Sequence, residues 1–281
     1  VTFTRPTSML AGPTGGIEYL TIGQGTPSSV FAHGLGGSIT TTRPFASGVP
    51  GTRTFLHFRG HGASEAPETA WTYPTLAAEL RAVADHVAAR QCLGVSMGAG
   101  AMCALLEQTP DRFDRLVFVI PALLDRPRTD AALQRLVDLA DLVDDRDVEG
   151  IAAHFVNEQP EEVRDTDLVR GWAAEQARLL SGTPVSRALR ALPRAVPLTD
   201  RASLGRVAAP ALVIGQEDDA AHPAGIAREL AEALPDARLE ILPPGGVLWS
   251  HRRRVRELVS EFMTGGDAAA WKASASAAHG R

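Results

Sequence analysis

Short β-rich runs alternate with amphipathic helical runs along most of the 281 residues, and this alternation restricts the fold more than any other feature. It predicts an α/β protein whose central sheet is mainly parallel, with helices on both faces. Residues 17–23 (IEYLTIG) and 28–34 (SSVFAHG) read as successive strands joined through Gly23, Gly25 and Pro27, and 52–58 (TRTFLHF) as a third. A short strand is expected at Gln91 to Val95, running straight into the small-residue helix SMGAGAMCALLE. RLVFVI (115–120) is almost continuously apolar, as a strand covered on both faces must be. PALVIG (210–215) and RLEIL (238–242) add two more strands. Between them lie helices recognisable by their apolar stripes: Leu76, Leu80, Val83 and Val87 on 75–89, Ile226, Leu230 and Leu234 on 223–234, and Val255, Leu258, Val259 and Phe262 on 251–263.

The interval 122–205 breaks the rhythm. It holds helix-like stretches (AALQRLVDLADLV, GIAAHFV, RGWAAEQARLL) and no strand pattern. The expected organisation is a core of residues 1–121 and 206–265, a helical lid inserted over 122–205, and a disordered tail over 266–281. A chain of this length with 44% hydrophobic residues can build a core without disulfides or a structural metal. Cys92 and Cys103 are too few and too far apart for a zinc cluster or a redox pair. A net charge of −5 argues against a general nucleic-acid binder, whose footprint is basic. The longest apolar run, Leu116 to Leu124, is nine residues and contains Pro121, against roughly 20 needed to span a bilayer. The expectation is a cytoplasmic protein with no nucleic-acid or membrane partner; oligomeric state is not encoded in these features.

The chemistry concentrates at Gly94-Val95-Ser96-Met97-Gly98, a G-x-S-x-G placed between a strand and a helix. A serine on such a sharp turn takes strained backbone angles, and side chains two residues to either side would collide. The turn pushes the hydroxyl into a cleft and aims the N–H groups of a helix N-terminus at developing negative charge. His33-Gly34-Leu35-Gly36-Gly37 ends the second strand and Arg59-Gly60-His61-Gly62-Ala63-Ser64 the third. With these three motifs, in this order and each after a strand, the chain resembles the α/β-hydrolase superfamily over about residues 15–122 and 205–264.

That resemblance implies Ser96 as nucleophile, with the Leu35 and Met97 N–H groups as oxyanion hole. It implies a carboxylate after the strand that follows the lid, where G-x-x-D spacing from Gly215 selects Asp218; Asp219 and the more remote Asp125 are alternatives. The family's histidine follows the last strand, but Val247 occupies that place in PPGGVLWSH (243–251), and valine cannot accept a proton. His251 is the nearest substitute, at the first turn of the last helix with Ser250 as N-cap, where the helix dipole disfavours imidazolium. His222, in the acid loop, is the rival. His33 and His61 belong to structural turns.

The function expected is cofactor-independent cleavage of an ester, thioester or lactone through an acyl-enzyme on Ser96. The substrate is expected to be a small, partly apolar molecule. A non-hydrolytic enzyme of the same fold (a lyase or cyclase) and a catalytically inactive ligand-binding protein are the alternatives. No metal is expected, since there is no HExxH and no clustered His/Cys set.

Overall fold

The apolar strands predicted from the sequence lie side by side at the centre of an eight-stranded sheet of order β1-β2-β4-β3-β5-β6-β7-β8. The computed structural model describes residues 6–68 and 71–265. The strands are β1 (Ser8–Gly12), β2 (Gly15–Ile22), β3 (Ser28–Ala32), β4 (Thr52–Leu56), β5 (Gln91–Val95), β6 (Arg115–Val119), β7 (Ala211–Gln216) and β8 (Ala237–Leu242). The pairings β4–β3, β3–β5, β5–β6, β6–β7 and β7–β8 are parallel. β1–β2 and β2–β4 are antiparallel and form one edge. β1 was not expected: SMLAG has only Met9 and Leu10 as large apolar residues, and its pairing with β2 supplies order that composition does not.

The helices are α1 (Ile39–Thr42), α2 (Tyr73–His86), α3 (Met97–Gln108), α4 (Ala131–Asp144), α5 (Val148–Asn157), α6 (Glu161–Arg164), α7 (Asp167–Leu180), α8 (Val185–Ala191), α9 (Ala224–Ala233) and α10 (Arg252–Thr264). Strand alternation sends Val30 and Ala32 to one face and Phe31 to the other. On the first face Leu76 and Leu80 of α2, Met102 and Leu105 of α3 and Leu230 of α9 close the core. On the second, Val255, Leu258 and Phe262 of α10 pack over Phe31 and Phe55, whose rings stack at 4.9 Å. Both cysteines are buried free thiols.

Helices α4 to α8 all lie between β6 and β7 in the chain and contribute a small core of their own, including Leu139, Val143, Ile151, Ala177 and Leu189. The expected tail, 266–281, lies outside the described residues. No helix among the described residues is long and apolar enough to cross a membrane.

Parallel pairing has one consequence for function. The C-terminal ends of β3, β5, β6, β7 and β8 open on the same edge of the sheet, so the loops after them converge there. Two close backbone approaches lie at this edge. A Cβ on Gly98 would sit 2.4 Å from the Ala32 carbonyl oxygen, and one on Gly94 would sit 2.5 Å from that of Gly98. Both glycines therefore serve the packing of α3 against β3 and β5. Gly171, inside α7, has nothing within 4 Å of where its Cβ would stand.

Gly98→Ala is expected to destabilise the fold by about 1–3 kcal/mol through overpacking. Gly171→Ala is expected to stabilise it by about 0.5–1 kcal/mol by removing backbone freedom from a helix interior. Urea unfolding of the two variants reads both signs; equal midpoints would contradict the packing account.

Candidate functional site

Ser96 is the hinge between β5 and α3, with φ +49° and ψ −108°, a combination that L side chains seldom adopt. Neighbouring hydrogen bonds hold it there: its N–H donates to the Val119 carbonyl at 3.0 Å and its own carbonyl accepts from the Gly100 N–H at 3.1 Å. The strain lifts the hydroxyl off the sheet edge. It also leaves the Met97 N–H at the first turn of α3, where no intrahelical acceptor exists. The loop after β3 lies against the serine, since a Cβ on Gly34 would come within 3.3 Å of the Ser96 Cβ.

That loop is fixed by three buried histidines. The Gly36 N–H donates to His61 Nε2 at 3.1 Å and the Ile39 N–H to His57 Nε2 at 2.9 Å. His33 Nε2 accepts from the Phe58 N–H at 3.0 Å, which ties the loop after β3 to the one after β4. On the far side of its ring, His57 Nδ1 meets the Glu18 carboxylate at 2.7 Å. Gly36 takes φ +69°, so its N–H turns to His61, while the Leu35 N–H has no protein acceptor among the described residues.

The loop after β7 brings the imidazole. His222 Nε2 lies 3.0 Å from Ser96 Oγ, and His222 Nδ1 lies 3.0 Å from Asp219 Oδ2. The other Asp219 oxygen accepts from the N–H groups of Ala221 and His222, each at 3.0 Å. A proton on Nδ1 satisfies the carboxylate and leaves Nε2 to accept from the serine hydroxyl. Burial alone would raise the Asp219 carboxyl; the charge and hydrogen bond of His222, with the two backbone donors, outweigh it and hold the group below its ordinary value. Arg128, itself buried, braces the same loop: its guanidinium donates to the Ala221 carbonyl at 2.5 Å and to Asp130 at 3.1 Å.

The structure thus brings together Ser96, His222 and Asp219, where the sequence had favoured His251 and Asp218. His251 Nε2 is 2.9 Å from the Pro244 carbonyl and is not a partner of Ser96. It is also its own helix N-cap position, with no side-chain cap; Ser250 belongs to the π turn Gly246–Ser250 before it. Asp218 takes φ +55°. This left-handed residue turns the chain so that the next carboxylate, not its own, meets the imidazole. Asp125 is committed elsewhere, paired with Arg201 at 2.6 and 2.7 Å, whose hydrogen bonds hold its carboxyl low. Val247 is buried among Ile214, Leu242 and Leu258. The signal available in the sequence was the D-x-x-H spacing of Asp219 and His222, since an aspartate that caps its own turn presents the residue three positions on.

Ser96, Leu35, Met97, Asp219 and His222 border a cavity of about 860 Å³. Much of its wall is apolar, including Phe45, Ile120 and Val247 from the core and Leu139, Phe155 and Trp172 from the helical insertion. Trp172 meets both Phe155 and Trp249 edge-to-face at 5.5 Å, and the Trp249 indole N–H donates to Gln159 Oε1 at 2.7 Å.

Comparisons with known proteins agree with this architecture. A family model described as alpha/beta hydrolase fold matches residues 30–248. The "Putative non-heme bromoperoxidase BpoC" of Mycobacterium tuberculosis is 32% identical over 243 residues, covering 80% of this chain and 88% of that protein. The "Putative carbamate hydrolase RutD" of Caulobacter sp. (strain K31) is 29% identical over 229 residues, covering 77% and 82%. Among solved structures, the enol-lactonase of Burkholderia xenovorans LB400 superposes with a TM-score of 0.76 at 21% identity, over 92% of this chain and all of that one. An esterase of Exiguobacterium antarcticum gives 0.75 at 19%, over 92% and 99%. These two likenesses speak for the fold alone.

Burial pushes the His61 imidazole down to about 4 and holds His33 and His57 below their ordinary value. An unfolded histidine takes its proton near pH 6.5. Between that pH and about 4, the unfolded chain therefore binds the extra proton, and stability falls as pH falls. For His61 alone the loss across this window is about 3 kcal/mol at 1.36 kcal/mol per pKa unit. Unfolding midpoints measured from pH 7 to pH 4.5 are expected to fall less steeply in His61→Gln, which keeps an acceptor for the Gly36 N–H but does not titrate. An identical slope in the two proteins would remove His61 as a contributor.

Proposed function

This chain belongs to the alpha/beta hydrolase fold family, and from that premise we propose that it is a serine hydrolase needing no cofactor, acting on an ester, thioester or lactone. The supporting observation is the continuous line Ser96 Oγ, His222 Nε2, His222 Nδ1, Asp219 Oδ2, with 3.0 Å at each hydrogen-bonded step. His222 takes the proton as Ser96 Oγ attacks the substrate carbonyl carbon. The carbonyl oxygen becomes an oxyanion facing the Leu35 and Met97 N–H groups. Asp219 stabilises the imidazolium. When the tetrahedral species collapses, the bond to the leaving group breaks and His222 Nε2 returns the proton to it, leaving an acyl-Ser96. Water then attacks, with His222 again as base, and releases the acid.

The cavity wall favours an acyl or alcohol portion with substantial apolar surface. Residues of the insertion reach that wall, and we assign the 122–205 segment the role of a lid that keeps water from the reacting carbonyl. The non-hydrolytic alternative rested on Val247 standing where an imidazole was expected. His222 supplies one from another loop, which withdraws the reason for preferring a lyase or cyclase. The carbamate hydrolase among the relatives makes a carbamate carbonyl a sensible member of any substrate panel.

The test is hydrolysis of p-nitrophenyl esters together with labelling by a fluorophosphonate. Ser96→Ala is expected to lose labelling and at least about 10³-fold in kcat, and His222→Ala a similar factor. Asp219→Asn should lose about 10²–10⁴-fold, because the imidazole loses its orientation and its counter-charge. His251→Ala should stay within about threefold of the parent. Full turnover in His222→Ala would reject the assigned base, and undiminished labelling in Ser96→Ala would reject the nucleophile.

A further inference from the structure

Tyr73 begins α2 and is 3% exposed, yet it lines the cavity that holds Ser96. Its ring occupies a slot prepared for it: a Cβ on Gly100 would fall 2.4 Å from Tyr73 Cε1. Gly100 is one turn into α3, and its N–H donates to the Ser96 carbonyl. The phenol is therefore seated on the same helix that carries the reactive turn. For packing alone, a phenylalanine would serve. The Tyr73 hydroxyl makes no hydrogen bond to any of the described residues, and it is not among their sealed, unpartnered polar atoms, so on a residue this buried it opens on the cavity that Tyr73 lines.

The surroundings decide what could satisfy it. The Arg128 guanidinium, also on the cavity wall, acts on the phenol through space. Its N–H groups are directed to Asp130 and to the carbonyls of Ala220 and Ala221, so it offers positive potential, not an acceptor. Burial raises the phenol well above its ordinary value, which keeps the hydroxyl protonated. This arm of the cavity is thus a donor beside a cation, while Phe45, Ile120 and Val247 line an apolar portion. The complementary ligand group is an electron-rich oxygen.

We infer that Tyr73 is a specificity-determining residue whose hydroxyl donates to a second carbonyl oxygen of the substrate, distinct from the carbonyl attacked by Ser96. The inference rests on the hydrolase reading and narrows it from apolar esters in general to oxo-substituted ones. It requires no new covalent step. A site built to bond a substrate oxygen discriminates against the analogue that lacks it, because the analogue displaces water from the donor without replacing its hydrogen bond.

The experiment compares matched pairs of substrates in the parent and in Tyr73→Phe. On the acyl side these are p-nitrophenyl 4-oxohexanoate and 5-oxohexanoate against p-nitrophenyl hexanoate. On the alcohol side they are 3-oxobutyl hexanoate against butyl hexanoate. The parent is expected to prefer the oxo member of at least one pair in kcat/KM, and Tyr73→Phe to reduce that preference about tenfold, chiefly through KM. The same ratio in both proteins for every pair would overturn the inference and make Tyr73 a packing residue with a hydrated hydroxyl. Fluorophosphonate labelling of Ser96, run in parallel, separates the two levels. No labelling of the parent would sink the hydrolase reading and this inference together, whereas normal labelling with unchanged ratios would sink this inference alone.

Discussion

The close contact between α3 and the ends of β3 and β5 is the constraint on which the rest depends. With no side chains at Gly94 and Gly98, backbone meets backbone at a distance that any Cβ would forbid. That contact forces the chain to reverse from strand to helix within one residue, and Ser96 carries the strain of the reversal. Three consequences follow from the same geometry. The hydroxyl stands clear of the sheet, the first N–H of α3 is left without an acceptor, and the loop after β3 is drawn against the serine. Strain stored in this way persists because the surrounding core over-determines it; Leu93, Phe118 and Met102 around the turn are fully buried.

A second layer of order comes from polar groups outside the line Ser96, His222 and Asp219. His33, His57 and His61 act as acceptors for backbone N–H groups in loops that have no ladder to pair with. Arg128 does the converse, donating to carbonyls of the loop that carries Asp219 and His222. Loops at the C-terminal edge of a parallel sheet must otherwise leave such groups to water. Fixing them from inside the protein allows a cavity wall to be both apolar and rigid. This matters more here than where acid and base come from separate loops, because a single turn, 217–222, carries both partners of the serine and any shift in it displaces both.

Much of the architecture was legible because periodicity is a local property. RLVFVI is apolar after its first residue and PALVIG throughout, and such strands have nowhere to go but the centre of a sheet covered on both faces. The stripe on α2 and the one on α10 likewise named their buried faces correctly. β1 was not legible, since its order derives from pairing with β2. For the site, Ser96 was legible because the glycines that flank it are required by the turn itself. The histidine was not assigned correctly, because sequence distance says nothing about which loop an edge of the sheet will bring nearest. Resemblance favoured the loop after β8; in the structure that loop offers Val247 to the core and turns His251 toward the Pro244 carbonyl.

The sequence by itself determined the layering of the fold and the place of the Ser96 hydroxyl, since both follow from hydrophobic period and from a turn that only glycine permits at its flanks. Only the tertiary structure decided which carboxylate and which imidazole meet that hydroxyl. The left-handed residue Asp218 rotates the chain at a single bond pair, and this small backbone event presents Asp219 and His222 to Ser96 in place of their neighbours. The D-x-x-H spacing of Asp219 and His222 records that these two can pair, but only φ and ψ under the packing of the whole edge decide that this pair, and not Asp218 with His251, reaches Ser96.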